Sequence, residues 1–249
     1  MFSASERDAI YKVIFSRRDV REGFLPKPVP ADVLGRILEA AHHAGSVGFM
    51  QPWNFIVIDN PETKNQVKNI FTEENQKAAQ NYEGERKKLY ESMKLEGILE
   101  APVNIAVTCD HSRGGNHVLG RSTIRDTDLF STACAIQNLW LSARAEGIGT
   151  GWVSIIDPVK VKTLLKIPEP VSLVAYLCLG YVAEFAAQPM LETKGWRSRL
   201  PLEDVVFRNE WACHPERSEG SVFSAEGGSA SGEKKQILRT SPGAQNDKI

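Results

Sequence analysis

The chain has 249 residues, with 30 Lys and Arg against 31 Asp and Glu and a formal net charge of −1, which removes any electrostatic ground for nucleic acid or an anionic membrane as its main partner. Its hydrophobic share of 42% is ordinary for a chain able to bury a core, and no uninterrupted apolar run approaches the roughly 18–20 residues of a membrane span. Residues 1–18 mix charges through their apolar positions without a signal-peptide core, so the expected location is cytoplasmic.

Ser5 to Arg18 predicts a helix with Ser5 as N-cap, Asp8 three residues on, and Ile10, Val13 and Ile14 on one face. It runs into Arg17-Arg18-Asp19-Val20-Arg21, three guanidiniums within five residues. Such a cluster either clamps a phosphate through forked hydrogen bonds or complements the negative end of the helix dipole. Asp19 among these cations is expected to be ionised and oriented, for catalysis or as an ion-pair partner. Pro26, Pro28 and Pro30 form an extended link to a second helix, Asp32 to Ala44, with Leu34, Ile37, Leu38 and Ala41 at helical spacing. Ser46 to Trp53 then brings hydroxyl, amide, thioether and indole groups into one connection. It reads as the lining of a flat polar heterocycle or as an ordinary helix-to-strand link in which Pro52 sets the turn. Trp53 to Ile58 is a short strand closed by Asp59-Asn60-Pro61. Pro61 to Glu100 is polar and mostly helical, loosened near Gly84.

Val103 to Cys109 predicts a second strand, and Gly114-Gly115 a loop. His42-His43 at a helix end and His111 and His117 in a polar loop lack a metal-ligand spacing, and Cys109, Cys134, Cys178 and Cys213 form no CxxC. No metal site is expected, and Cys109, Cys134 and Cys178, set in apolar stretches, read as small buried hydrophobes. Asp128 to Glu146 is a strongly apolar, central helix with Gly147 as its C-terminal cap. In Gly147-Ile148-Gly149-Thr150-Gly151 the glycines follow a helix and precede a strand, the reverse of a dinucleotide fingerprint. They predict a loop that lets backbone approach a ligand. Ser154 beyond it stands at that ligand or is bonded to backbone in the core. Thr150 to Ile156, Pro158 to Leu165 and Val171 to Val182 predict a strand, a short helix and a buried strand. Gly195 to Asp204 adds Arg197 and Arg199, which join the first cluster on one phosphate or belong to a solvated surface. From Ala212 the composition turns to Gly and Ser with few large apolar residues, too little to offset the entropy of ordering. A folded domain over 1–211 and a disordered tail over 212–249 are expected. The order of elements fits neither a βαβ series nor a sandwich, so the fold class is α+β.

Together these segments resemble the nitroreductase-like flavoproteins, from about Ala9 to Trp211. More closely, they are similar to the branch of that family that consumes reduced FMN to form 5,6-dimethylbenzimidazole, the lower ligand of vitamin B12. The arginine pair and Gln51-Pro52-Trp53 are shared across the family. Asp19, where serine is common, with Gly48-Phe49-Met50 and Gly151-Trp152-Val153-Ser154, marks the branch. The likeness also takes in Asp110 to Gly115, Gln137 to Leu141, and Gly195 to Asp204.

The resemblance implies a central mixed sheet flanked by helices, and a homodimer that exchanges terminal segments and holds FMN at the subunit interface. By the same likeness Arg17, Arg21, Arg197 and Arg199 hold the phosphate and ribityl chain, and Ser46, Met50 and Gln51 line the isoalloxazine. Arg18, Gly151 and Trp152 belong to the same binding set. Ser154 is expected near flavin N5 and C4a, managing the oxygen chemistry by hydrogen bonding. Asp19 is expected to act as general base or acid on the ribityl chain. Reduced FMN is then the substrate, cleaved with O2 to dimethylbenzimidazole and erythrose 4-phosphate, and a separate NAD(P)H-dependent flavin reductase supplies it. Pro61 to Glu100 is placed as a lid over the ring. Two departures from the family stand out: Gly45 where proline is expected, and the tail after Trp211. The rival activities are an NAD(P)H-dependent nitro or flavin reductase that keeps its flavin intact, and a flavin-binding module without chemistry. Asp19 in the arginine loop favours the flavin-cleaving branch over both.

Overall fold

The computed structural model describes residues 1–211, divided into two units at Arg199; the tail expected over 212–249 lies outside the described residues. Helix α1 spans Ala4–Ser16, and its cap is Ser3 rather than Ser5. Ser3 Oγ accepts from the Glu6 N–H while Glu6 Oε2 accepts from the Ser3 N–H at 2.7 Å. That reciprocal pair satisfies two otherwise orphaned donors. The sequence then forms α2 (Ala31–His42), β1 (Trp53–Ile58), α3 (Pro61–Ala79) and α4 (Gly84–Glu91), followed by β2 (Val103–Asp110) and α5 (Thr127–Ala145). It closes with β3 (Ile148–Val153), α6 (Pro158–Leu164), β4 (Val171–Tyr181) and the short α7 (Met190–Thr193). Gly147 follows the C-cap of α5 at φ +76, as its expected capping role requires.

The sheet runs β1-β2-β4-β3, with every neighbouring pair antiparallel. The mixed sheet implied by the family likeness is reduced, within the described residues, to an isolated parallel bridge between Asp19 and Thr150. Helices cover both faces. On one face Val33, Ile37 and Ala41 of α2 and Ile136, Leu139 and Ala143 of α5 pack on Val103, Ile105 and Val107. On the other, Val67 and Phe71 of α3 and Val161 of α6 pack on Ala106, Tyr176 and Cys178. In β4 the side chains alternate between the two clusters, as the period of a strand dictates. Strand β2 is buried almost end to end, so its apolar run has water on neither face. Buried Asn104 within it donates Nδ2 to the Tyr176 hydroxyl at 2.9 Å and to the Ile98 carbonyl at 3.0 Å. Among the described residues of the second unit, 200–211, there is a 3-10 turn at Leu202–Asp204 and a stacked Phe207–Trp211 pair.

Candidate active site

Helix α1 stops at Ser16 because Arg17 turns to extended geometry (φ −63, ψ 137), which sends residues 18–21 along the free edge of β3. Val20 N donates to the Thr150 carbonyl at 3.0 Å. One step on, the Asp19 side chain continues the ladder, with Oδ1 accepting from the Trp152 N–H at 2.9 Å. Its Oδ2 pairs with Arg21 Nη2. Gly151 explains how this is possible: a Cβ there would stand 1.9 Å from the Val20 carbonyl oxygen. Its close approach is to the chain itself. The loop expected at 147–151 is therefore a strand edge, and glycine is needed there for packing of backbone on backbone. Burial raises the pKa of Asp19 against the opposing pull of Arg21, the Trp152 N–H and Arg17. A carboxyl whose pKa burial raises and whose two oxygens are each held by a donor is suited to moving a proton.

The structure divides the two readings of the arginine cluster residue by residue. Arg18 caps the end of α1, donating Nη1 to the Phe15 carbonyl at 2.8 Å and to its neighbour Arg17 at 2.7 Å, with Nη2 on Ala187. Arg17 lies over the Trp140 ring at 4.6 Å, and Trp140 Nε1 donates to the Arg18 carbonyl at 3.1 Å. Arg17, Arg18, Asp19, Arg21 and Arg199 all line one cavity of about 1220 Å³, joined by Lys94 and Lys194. This exceeds the roughly 300–1,000 Å³ of an ordinary small-molecule pocket. The Nε atoms of Arg18 and Arg21 are buried without a hydrogen-bond partner, which is costly unless an acceptor completes them. The cations Arg17, Arg18, Arg21, Lys94, Lys194 and Arg199 outnumber the lining carboxylates of Asp19, Glu22 and Glu184, and such a net positive wall fits a phosphorylated ligand. Arg197 is exposed and does not line the cavity.

Ser46, Met50 and Gln51 lie apart from that cavity, in a connection that holds a 3-10 turn at Val47–Phe49. Gly48, Phe49 and Gln51 all have positive φ, of 59, 53 and 48°. For the two non-glycine residues this costs on the order of 1–3 kcal/mol each and persists only where the surroundings impose it. Ser46 Oγ accepts from the Gln51 N–H at 3.1 Å. Arg113 Nη1 donates to the carbonyls of Gln51 at 3.1 Å and Trp53 at 3.0 Å, and its Nη2 to Asn54 Oδ1 at 2.6 Å. Sequence reasoning passed over Arg113, although it lies in the Asp110 to Gly115 segment that carries the family likeness. Met50 is buried at 4% exposure, whereas Phe49 stands 79% exposed. Ser154 follows β3 directly, is exposed, and its hydroxyl has no partner among the described residues.

A further cluster was invisible in the spacing. Cys109, His111 and Asp128 bring three ligand-type atoms within 4.8 Å. His111 Nδ1 meets Asp128 Oδ2 at 2.8 Å and Nε2 meets Ser172 Oγ at 2.7 Å, while Arg121 Nη2 donates to the same Asp128 oxygen at 2.6 Å. Burial would raise the Asp128 pKa, but His111, the Leu129 N–H and Arg121 together hold it below the usual carboxylate range. With a guanidinium already on the carboxylate, the cluster acts as a fastening between the 110–126 loop, α5 and β4. Cys109 and Cys178 are buried as expected; Cys134 is exposed on α5, contrary to expectation, because it sits on the face turned from the sheet.

Residues 14–181 match the nitroreductase family. A 5,6-dimethylbenzimidazole synthase of Rhodospirillum rubrum is 40% identical over 201 residues, 81% of this chain and 95% of that protein. One from Rhodobacter capsulatus is 40% identical over 203 residues, 81% of this chain and 97% of its own length. Among solved structures, oxidized iodotyrosine deiodinase bound to FMN and 3-iodo-L-tyrosine superposes with a TM-score of 0.65 at 20% identity. The match takes in 81% of this chain and 100% of that one, and is a likeness of fold.

Proposed function

The chain belongs to the nitroreductase family and, within it, to the 5,6-dimethylbenzimidazole synthases, and from that premise we propose how its residues divide the work. It is an oxidoreductase and a flavoprotein. Reduced FMN, with O2 as co-substrate, supplies both the electrons and the carbon skeleton that ends as dimethylbenzimidazole and erythrose 4-phosphate. Arg17, Arg21 and Arg199 hold the phosphate end, with Arg197 swinging in from the surface. Arg18 spends its Nη donors on backbone carbonyls and adds its positive charge to the cavity wall. Asp19 moves a proton on the ribityl chain. Ser154 hydrogen-bonds at the flavin ring edge. Gly151 and Trp152 serve the site by orienting Asp19, through close packing and an N–H.

A second copy of the chain completes the site in this reading. Ser46, Met50 and Gln51 lie outside the arginine-lined cavity of their own subunit, so the ring lining they provide belongs to the partner's flavin. Ile14 and Phe15 of α1, exposed at 40% and 71%, give apolar surface for that pairing. A separate NAD(P)H-dependent flavin reductase delivers reduced FMN, and the cytoplasm is the compartment. No helix among the described residues is long and apolar enough to cross a membrane.

The carrying observation is Asp19: raised by burial, fixed at both oxygens, and set in the wall of the cationic cavity. The test is aerobic incubation with FMN, NADH and a flavin reductase, followed by mass spectrometry for dimethylbenzimidazole. Asp19→Asn is expected to lower product formation by ~10²–10⁴-fold, the usual worth of a positioned proton-transfer group, while FMN still binds. Undiminished product in Asp19→Asn removes the proposed role. Intact flavin and no product from the wild-type dimer moves the assignment to a reductase.

A further inference from the structure

Two walls of the arginine-lined cavity come from distant parts of the chain. Ser92 and Lys94 follow α4, whereas Lys194 and Arg199 lie beyond α7. A cluster of aromatic rings and one guanidinium joins them. Arg86 of α4 lies over the Trp196 ring at 3.5 Å, and its Nη2 donates to the Trp196 carbonyl at 3.0 Å. Tyr82 meets the same indole edge-on at 5.2 Å and stacks on Tyr90 at 5.0 Å. Tyr90, 5% exposed, donates its hydroxyl to Asn75 Oδ1 of α3 at 2.7 Å.

Local backbone aims the indole into this clasp. Gly195 adopts φ +70 after α7, the Gly195 N–H bonds to the Glu192 carbonyl at 3.0 Å, and the Trp196 N–H bonds to the Leu191 carbonyl at 2.8 Å. This is the paired closure of a helix that ends on a left-handed glycine. Past it the chain carries Arg197 and Arg199 in irregular, exposed backbone. Two long cations on such a segment would lose considerable freedom on meeting an anion, unless the segment is already fixed.

We propose that Trp196, clasped by Arg86 and Tyr82, is a positioning residue for the phosphate end of the flavin, fixing residues 195–199 so that Arg199 faces the Arg17–Arg21 wall. The proposal rests on the phosphate assignment made above. Flavin fluorescence titration of FMN and of riboflavin, which lacks the phosphate, separates the two. Trp196→Leu is expected to weaken FMN roughly tenfold, the scale of a lost cation–π clasp, and to leave riboflavin within about twofold, the scatter of an uninvolved site. Trp196→Phe, which keeps an aromatic face for Arg86, restores most of the preference for FMN. Arg86→Gln, a less invasive change, reproduces the Trp196→Leu pattern and serves if that variant fails to fold. An unchanged preference for FMN over riboflavin in both Trp196→Leu and Arg86→Gln overturns the proposal, as does equal weakening of both ligands. A wild-type protein with no such preference sinks the phosphate assignment itself, before any variant is made.

Discussion

Asp19 and Gly151 show how one residue's chemistry depends on another's absence of a side chain. The carboxyl reaches the Trp152 N–H only because the 19–21 segment lies against β3, and it lies there only because Gly151 leaves room for the Val20 carbonyl. Gly151→Ala forces backbone away from backbone, which no side-chain rotamer can relieve. We expect a loss of at least about 1–3 kcal/mol of stability, as for an overpacked core, together with loss of product through displacement of Asp19. Thermal unfolding and the product assay check both, and an unshifted melting temperature would contradict the packing argument. Asp19, Arg17 and Arg21 were legible in the sequence by residue type and spacing. The reason for Gly151 was not, since the carbonyl it admits lies 131 positions earlier in the chain. Arg113, which holds the Gln51 and Trp53 carbonyls, and Trp140, which holds the Arg18 carbonyl, were missed for the same reason: a structural Arg or Trp carries no local pattern.

Elements were legible where their signals are local. The strand Trp53–Ile58 has the predicted bounds, and Gly147 caps α5 as the sequence implies. The N-terminus of α1 was misread by two residues because Ser5 with Asp8 looks like a cap, whereas Ser3 with Glu6 makes the bonds. The connection from α4 to β2 holds an electrostatic feature no periodicity reports. Glu96, 3% exposed, accepts from Lys68 at 2.5 Å, from Lys94 at 3.3 Å and from the Ile98 N–H at 2.7 Å. Burial pushes its pKa up, but these three partners outweigh burial and leave it lowered. A carboxylate lowered on folding adds stability that is fully present above its unfolded value of about 4.3. That stability is lost as pH falls through the folded value. Glu96→Gln should therefore cost about 1–2 kcal/mol at pH 7, with the gap to wild type closing below about pH 4. Urea midpoints across that range provide the check, and a gap that stays constant down to pH 3 would refute the assignment.

At the scale of the molecule, α5 has one covered and one uncovered face. Ile136, Leu139 and Ala143 pack on the sheet, while Phe130, Ala133, Cys134 and Gln137 form an exposed stripe at helical spacing. A helix apolar all round is ordinarily buried all round, so in the dimer proposed above this stripe is placed at the subunit interface. Ala133→Glu puts a charge at its middle. Light scattering should show a monomer, with the helical circular dichroism retained, and dimethylbenzimidazole formation should fall with the dimer. A dimer that persists would move the interface elsewhere. The sequence by itself determined the α+β class, the position of nearly every helix and strand, and the residue types at the candidate site, because capping, turn chemistry and apolar periodicity act over a few residues. Only the tertiary structure decided that the sheet is antiparallel and that Arg18 serves backbone as well as the cavity. It alone placed Ser46, Met50 and Gln51 outside the cavity that Arg17, Arg18, Arg21 and Arg199 line, and bound Trp196 to α4. Those outcomes depend on contacts between segments tens to more than a hundred residues apart, where close packing and hydrogen-bond satisfaction select one arrangement among many that local propensity allows equally.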